Sequence, residues 1–261
     1  MAEENYTQNS PDEKIGAEIS LHSPFLKKVE NFWYHYKWHT IIGVFLALFV
    51  LISTLQMCSR PSYDGHVSYA GPSGGEVLTG ATLTDMQNSL LLVAEDYNGD
   101  GEKQISLSRY WLDTTENLQK YEGNVGALVN TANENRKALW DAVMAGETFL
   151  FFLSPAEFED MANHRLGDTP LLYSVKELCP TISQDALYTF ENGRTSAYGV
   201  KLSALPFGEL PGFEKLPEDT VVCLRSLTGI GGLFSQDKLT ASHENHKKLF
   251  QAILSYLPEE P

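Results

Sequence analysis

The chain has 261 residues and a formal net charge of −15. From residue 61 onward there are 14 basic and 28 acidic residues, a balance that repels nucleic acid and anionic lipid and excludes a nucleic-acid partner. The roughly 200 residues of that part are enough for one domain with a core of its own.

In chain order, residues 1–38 are polar and rich in Asn, Ser, Pro and Glu, and read as a disordered cytoplasmic tail with a short juxtamembrane helix. Thr40 to Met57 is an apolar run without a charge, T-I-I-G-V-F-L-A-L-F-V-L-I-S-T-L-Q-M. As a helix it spans about 27 Å, close to the hydrocarbon thickness of a bilayer, so 39–58 is expected to be one transmembrane helix and the bilayer its partner. Phe32, Trp33, Tyr34, Tyr36 and Trp38 precede it as an interfacial belt. Lys27, Lys28 and Lys37 stand before the run and Arg60 alone after it, which places the N-terminus in the cytoplasm and the rest outside. A cleaved signal or a lipidated Cys58 is disfavoured. The apolar core begins about 40 residues in, and Gln56 and Met57 are poor residues before a lipoprotein cysteine.

Residues 59–65 form a linker and 66–261 an extracytoplasmic domain. His66–Ala70 alternates like a strand. Thr84-Asp-Met-Gln87 reads as a capping box opening a helix with Leu90, Leu91 and Ala94 on one stripe. Gln104–Leu112 is expected to be a strand. A second capping box, Thr131-Ala-Asn-Glu134, opens a helix that Gly146 stops. Thr148–Leu153 is a continuously apolar strand of the kind covered on both sides, and Ser154-Pro-Ala-Glu157 is a third box with Pro at the first helical position. Strands follow at Ala197–Leu202 and Thr220–Arg225, then a helix carrying Leu249, Phe250, Ile253, Leu254 and Leu257. The alternation predicts an α/β class with a largely parallel sheet and flanking helices.

Four stretches bear on chemistry. Asp96, Asn98 and Asp100, with Gly101 at the sixth position and the Glu102 carbonyl at the seventh, match the first half of a calcium loop. Leu107 stands where that pattern wants a bidentate Glu. The set therefore reads either as a Ca²⁺ site completed from elsewhere or as an Asn-Gly/Asp-Gly turn joining helix to strand. Gly71-Pro-Ser73-Gly-Gly75 fits the hydrolase spacing G-x-S-x-G, but the following helix starts too late for a nucleophile elbow, so a glycine loop is expected. His243-Glu-Asn-His246 misses the H-E-x-x-H spacing by one residue and reads as the start of a surface helix. Gly229-Ile-Gly231-Gly232 is too short for a dinucleotide fingerprint. Cys179 and Cys223 either pair or stand as separate buried thiols, the second being the expectation.

The stretch L-W-D-A-V-M-A-G-E-T-F-L-F-F-L-S-P-A-E-F-E-D-M-A, with L-G-D-T-P-L-L-Y-S-V-K-E-L after it, resembles the core of extracytoplasmic solute-binding proteins of transporters. Ala197–Leu202 is similar to a strand of that family without its proline. The D-x-N-x-D-G turn and the F-W-Y-H-Y-K-W belt resemble uncharacterised single-pass proteins of Gram-positive anaerobes. The resemblance implies a periplasmic-binding-protein-like lobe and no ligand residue in particular. The expectation is a non-catalytic, membrane-anchored module at the cell surface that binds a small solute or serves a membrane-protein partner. The alternatives are a serine hydrolase using Ser73 and an interaction protein without a ligand pocket.

Overall fold

The computed structural model describes residues 24–58, 62–72, 79–113, 125–230 and 236–258, with side chains in the first of these segments from 32 to 56. The chain divides into two compact units at Pro61/Ser62. In the first, α1 (Pro24–Cys58) is one continuous helix. Its window Phe32–Gln56 is long and apolar enough to cross a membrane. Residues 41–51, I-I-G-V-F-L-A-L-F-V-L, are all exposed, and at 100° per residue they cover the whole circumference. A helix apolar on every side lacks the polar stripe that a helix packed on a soluble core turns to water.

The second unit is an α/β domain around a six-stranded sheet of order β2-β1-β3-β8-β7-β6. The first three strands are β1 (Gly65–Gly71), β2 (Ile105–Trp111), which forms one edge, and β3 (Leu150–Leu153). β1 pairs in parallel with β2 and with β3. Helices α2 (Gly80–Val93) and α3 (Val125–Ala145) make the two crossovers. Met86 and Leu90 of α2 lie in the core on one side of the sheet; Leu139 and Val143 of α3 lie in the core on the other. Phe151 and Leu153 of β3 face the α3 side, Leu150 and Phe152 the α2 side, and all four are fully buried. This is why T-F-L-F-F-L carries no polar alternation.

The expected largely parallel sheet is corrected to a mixed one. After β3 and α4 (Pro155–Asn163) come a small antiparallel pair, β4 (Arg165–Leu166) and β5 (Thr169–Pro170), and the short helix α5 (Val175–Leu178). β6 (Leu187–Thr189) and β7 (Thr195–Lys201) then form a hairpin, turned at Gly193 with φ +79°. Three short 3₁₀ turns between 202 and 215 lead to β8 (Val221–Leu224), which runs antiparallel to both β7 and β3. No helix crosses over in this half, and parallel pairing needs such a crossover. Helix α6 (Gln236–Leu254) closes the α2 side with Leu249, Phe250 and Ile253.

Several expected boundaries move. α2 starts at Gly80 and is capped by Thr79, whose hydroxyl accepts from Thr82 N–H at 3.2 Å. Thr84 and Thr131 lie inside helices and return their hydroxyls to the carbonyls of Gly80 and Ala127, at 3.0 and 3.1 Å. Ser154 makes no side-chain cap. Glu157 instead accepts from Nε and Nη2 of Arg136, at 3.0 and 2.8 Å, and ties α3 to α4. Leu257 lies beyond α6 and is exposed. Gly146, with φ +71°, stops α3 as expected.

Gly199 in β7 has no room for a methyl group: an added Cβ would lie 2.4 Å from Phe158 Cε2 and 2.6 Å from Val221 Cγ1. Gly199→Ala should therefore destabilise the domain by about 1–3 kcal/mol through overpacking. Urea denaturation followed by tryptophan fluorescence measures this, and an unchanged midpoint would refute it.

Candidate functional site

The acidic loop between α2 and β2 is organised by a residue that sequence reasoning passed over. Asp64 is buried, and its Oδ1 accepts from the N–H groups of Tyr97 and Asn98 at 2.7 and 3.0 Å. Its Oδ2 accepts from Gln104 N–H at 2.8 Å. Three donors are what a carboxylate removed from water requires. Within the loop, Asp96 accepts from the N–H groups of Gly99 and Gly101 at 2.7 and 2.8 Å. Asn98 Oδ1 accepts from Asp100 N–H at 2.8 Å, and Asp100 Oδ1 from Glu102 N–H at 2.9 Å. Gly99 and Gly101 take positive φ, +74° and +89°. The structure thus brings Asp96, Asn98, Asp100 and Glu102 into one turn and engages the side-chain oxygens of the first three with backbone N–H donors. Among the described residues no three His, Cys, Asp or Glu side chains group closely enough to hold a metal ion.

In the order β2-β1-β3 the chain adds β2 on one side of β1 and β3 on the other, so the strand order reverses there, and ligands of open α/β sheets bind at the carboxyl ends of strands at such a point. That edge carries Gly71, Pro72 and Ser154; Ser154 N–H donates to Ala70 O at 2.8 Å. Tyr69 OH donates to Pro72 O at 2.8 Å and holds the start of the glycine loop. Ser73 and its neighbours to residue 78 lie outside the described residues, as do Gly231 and Gly232.

At the opposite edge, the two histidines expected on a surface are fully buried on the inner side of α6. The reason is that α6 begins at Gln236, so positions 243 and 246 fall on the stripe that also carries Leu239, Leu249 and Phe250. His246 Nδ1–H donates to Ser242 O at 2.6 Å, which leaves Nε2 to accept from His66 N–H at 2.9 Å. His243 Nε2–H donates to Arg225 O at 2.8 Å, and its Nδ1 has no partner among the described residues. Arg225 is itself fully buried at the end of β8. Its guanidinium donates to the carbonyls of Ser226 and Thr228, at 2.5 and 3.3 Å, and desolvation lowers its pKa to about 10. It stays a cation at neutral pH and shapes the 226–228 turn.

That turn borders a cavity of about 490 Å³, a size that suits a small molecule. His243, Lys247, Tyr173, Tyr198, Ser226 and Thr228 are among its walls. Lys247 Nζ lies 2.7 Å from Glu244 Oε1 and 4.8 Å above the Tyr173 ring. Ser226 Oγ donates to Pro170 O at 3.1 Å. Among the described residues no serine or cysteine side chain bonds a histidine ring; the walls offer one ammonium, several hydroxyls and the Glu177 carboxylate. A second cavity of about 320 Å³ shares Ala197 and Tyr198 with the first. Neither cavity has a spacing signal in the sequence, because their walls come from segments far apart in the chain.

Cys179 and Cys223 are free thiols. Cys223 packs in the core on the α3 side of the sheet and Cys179 against the core on the α2 side, which answers the pairing question. No family model matches the chain, no curated protein matches it, and no solved structure matches it.

Two outcomes follow from these contacts. Asp64→Ala leaves three backbone donors without their acceptor and should cost about 2–3 kcal/mol of stability, read from the same urea curves; a loss under half a kcal/mol would refute the anchoring role of Asp64. His246 is held neutral: desolvation lowers its pKa from 6.5 to about 4, outweighing the Ser242 and His66 carbonyls, which would favour a protonated ring. The unfolded chain therefore binds the extra proton first as pH falls. The contribution of His246 is complete above pH 6.5, declines between 6.5 and 4, and totals about 3 kcal/mol at 1.36 kcal/mol per pKa unit. His246→Gln should show a shallower fall in stability across that window than the parent; identical slopes would refute the assignment.

Proposed function

We propose that the chain is a single-pass, membrane-anchored extracytoplasmic protein whose α/β domain is a non-catalytic binding module of the solute-binding-lobe type. The observation that carries the anchor is α1, whose window Phe32–Gln56 is long and apolar enough to cross a membrane and whose residues 41–51 are apolar around the full circumference. In water that surface has no partner, and in hydrocarbon it needs none. Orientation follows from Lys27, Lys28 and Lys37 before the apolar run against Arg60 after it. The binding reading is supported by the 490 Å³ cavity, with the Lys247 ammonium, the Glu177 carboxylate and several hydroxyls on its walls. The small solute it takes is bound, carried or presented at the cell surface, with a membrane protein as the natural recipient.

The orientation is tested on intact cells with a membrane-impermeant maleimide. Cys58 and Cys179 are replaced by Ser, the buried Cys223 is kept, and one cysteine is added at either Ser10 or Glu260. Labelling at Glu260 and none at Ser10 is the expected result. The reverse pattern would overturn the proposed topology.

A further inference from the structure

From residue 62 onward the chain has five arginines, and three of them have settled roles or surroundings: Arg136 pairs with Glu157, Arg225 is spent on backbone carbonyls, and Arg109 sits on the edge strand β2. The other two, Arg165 and Arg194, come together on the walls of the 320 Å³ cavity. They arrive from different elements, Arg165 from the β4–β5 pair and Arg194 from the β6–β7 turn. The remaining walls include Asn163, Thr195, Ser196 and Tyr198, and no acidic residue. In a domain with twice as many acidic as basic residues, two guanidinium groups beside one cavity without a carboxylate are out of keeping with the rest of the surface.

Both arginines are held in place by groups that leave their charge unneutralised. Arg165 Nη1 donates to the Asp168 carbonyl at 2.9 Å, which uses one of its five N–H groups. Arg194 lies with its guanidinium carbon 4.8 Å from the centre of the Phe190 ring, a cation–π contact that fixes the plane of the fork. Neither forms an ion pair with a described residue. Two like charges sharing a small cavity repel each other, and an anion between them removes that repulsion and pairs with both forks.

We infer that Arg165 and Arg194 form a binding site for a phosphate-type dianion. The argument for phosphate over a carboxylate is one of oxygen count: two guanidinium forks offer four N–H groups, and a phosphate monoester presents three oxygens around one centre where a carboxylate presents two. Asn163 and the hydroxyl of Thr195 are available to the remaining oxygen, and Phe190 and Tyr198 provide an apolar wall for the organic part of a small ester. The inference names a ligand class for the binding module proposed above and rests on that reading. The same phosphate chemistry belongs to a soluble ester and to a lipid headgroup, which an anchored domain also meets.

The test uses the full chain in uncharged detergent micelles, titrated calorimetrically with glycerol 3-phosphate at constant ionic strength, with succinate and chloride as comparison anions. Saturable binding of glycerol 3-phosphate, tighter than that of succinate, is expected. Arg165→Gln/Arg194→Gln should weaken it by about a hundredfold or more, since two charge-assisted contacts are lost. Arg194→Lys, which keeps the charge and loses the fork, should fall between. The melting temperature of each variant reports its folding; if the double variant is destabilised, Arg165→Gln alone carries the comparison. A second arm repeats the titration in phosphatidylcholine vesicles with and without phosphatidic acid. Competition by phosphatidic acid identifies the headgroup as the source of the phosphate, and its absence identifies a soluble ester. Equal binding by parent and variants, or no binding of glycerol 3-phosphate in micelles and no effect of phosphatidic acid, would overturn the site. The maleimide labelling reads topology independently, so the anchored reading stands or falls on its own measurement.

Discussion

Four consecutive residues, Leu150 to Leu153, leave water completely, and the rest of the domain is arranged to let them do so. A strand has two sides, so burying every side chain of β3 requires a layer against each. α2 and α6 cover one and α3 and α4 the other. Each buried Leu or Phe of this strand is worth about 1.5–3 kcal/mol in transfer free energy. The backbone of β3 must also be paired along both edges, because no water reaches it. β1 does this in parallel and β8 in antiparallel fashion, and the hinge between the two halves of the sheet is therefore the strand with the least freedom to change.

The same demand explains the polar groups at the amino edge. α6 has to lie over β1 and β8, and its inner stripe includes two histidines. Burial disfavours the charged form of each; His246 is satisfied by backbone on both ring nitrogens, at Ser242 and His66, while His243 donates to the carbonyl of Arg225 and keeps Nδ1 without a partner among the described residues. A buried imidazole with one donor and one acceptor position fits a strand terminus, where one N–H or carbonyl has run out of ladder partners. Arg225 applies the same logic to a turn, lending N–H donors to carbonyls that the sheet no longer serves.

Much of this architecture can be read in the residues, and the part that cannot has a physical cause. T-F-L-F-F-L announces a strand covered twice, Gly146 a helix end that needs positive φ, and the apolar run from Thr40 a helix without a polar side. These signals are local, and the structure keeps them. Threonine boxes mislead at positions 84 and 131, because a threonine inside a helix also satisfies its hydroxyl, on the carbonyl four residues back. The direction of β8 was not legible either: it depends on the absence of a crossover helix between Lys201 and Val221, where short turns take up the chain. The partner of His246 is His66, 180 residues away, and Arg165 and Arg194 line one cavity from separate strand pairs. No spacing rule spans such distances.

The two thiols of the α/β domain are separated by the full thickness of its sheet, one in each of the layers that β3 holds apart. Burial raises the pKa of Cys223 well above the usual thiol range, so the thiolate that would begin an exchange reaction is scarce. Described in this way, the domain reaches its fold through packing and hydrogen bonds among the residues seen here, with no covalent cross-link between these cysteines. Reducing surroundings accordingly find no bond between these two cysteines to break, and the layers of the sheet stay together by packing and hydrogen bonds alone.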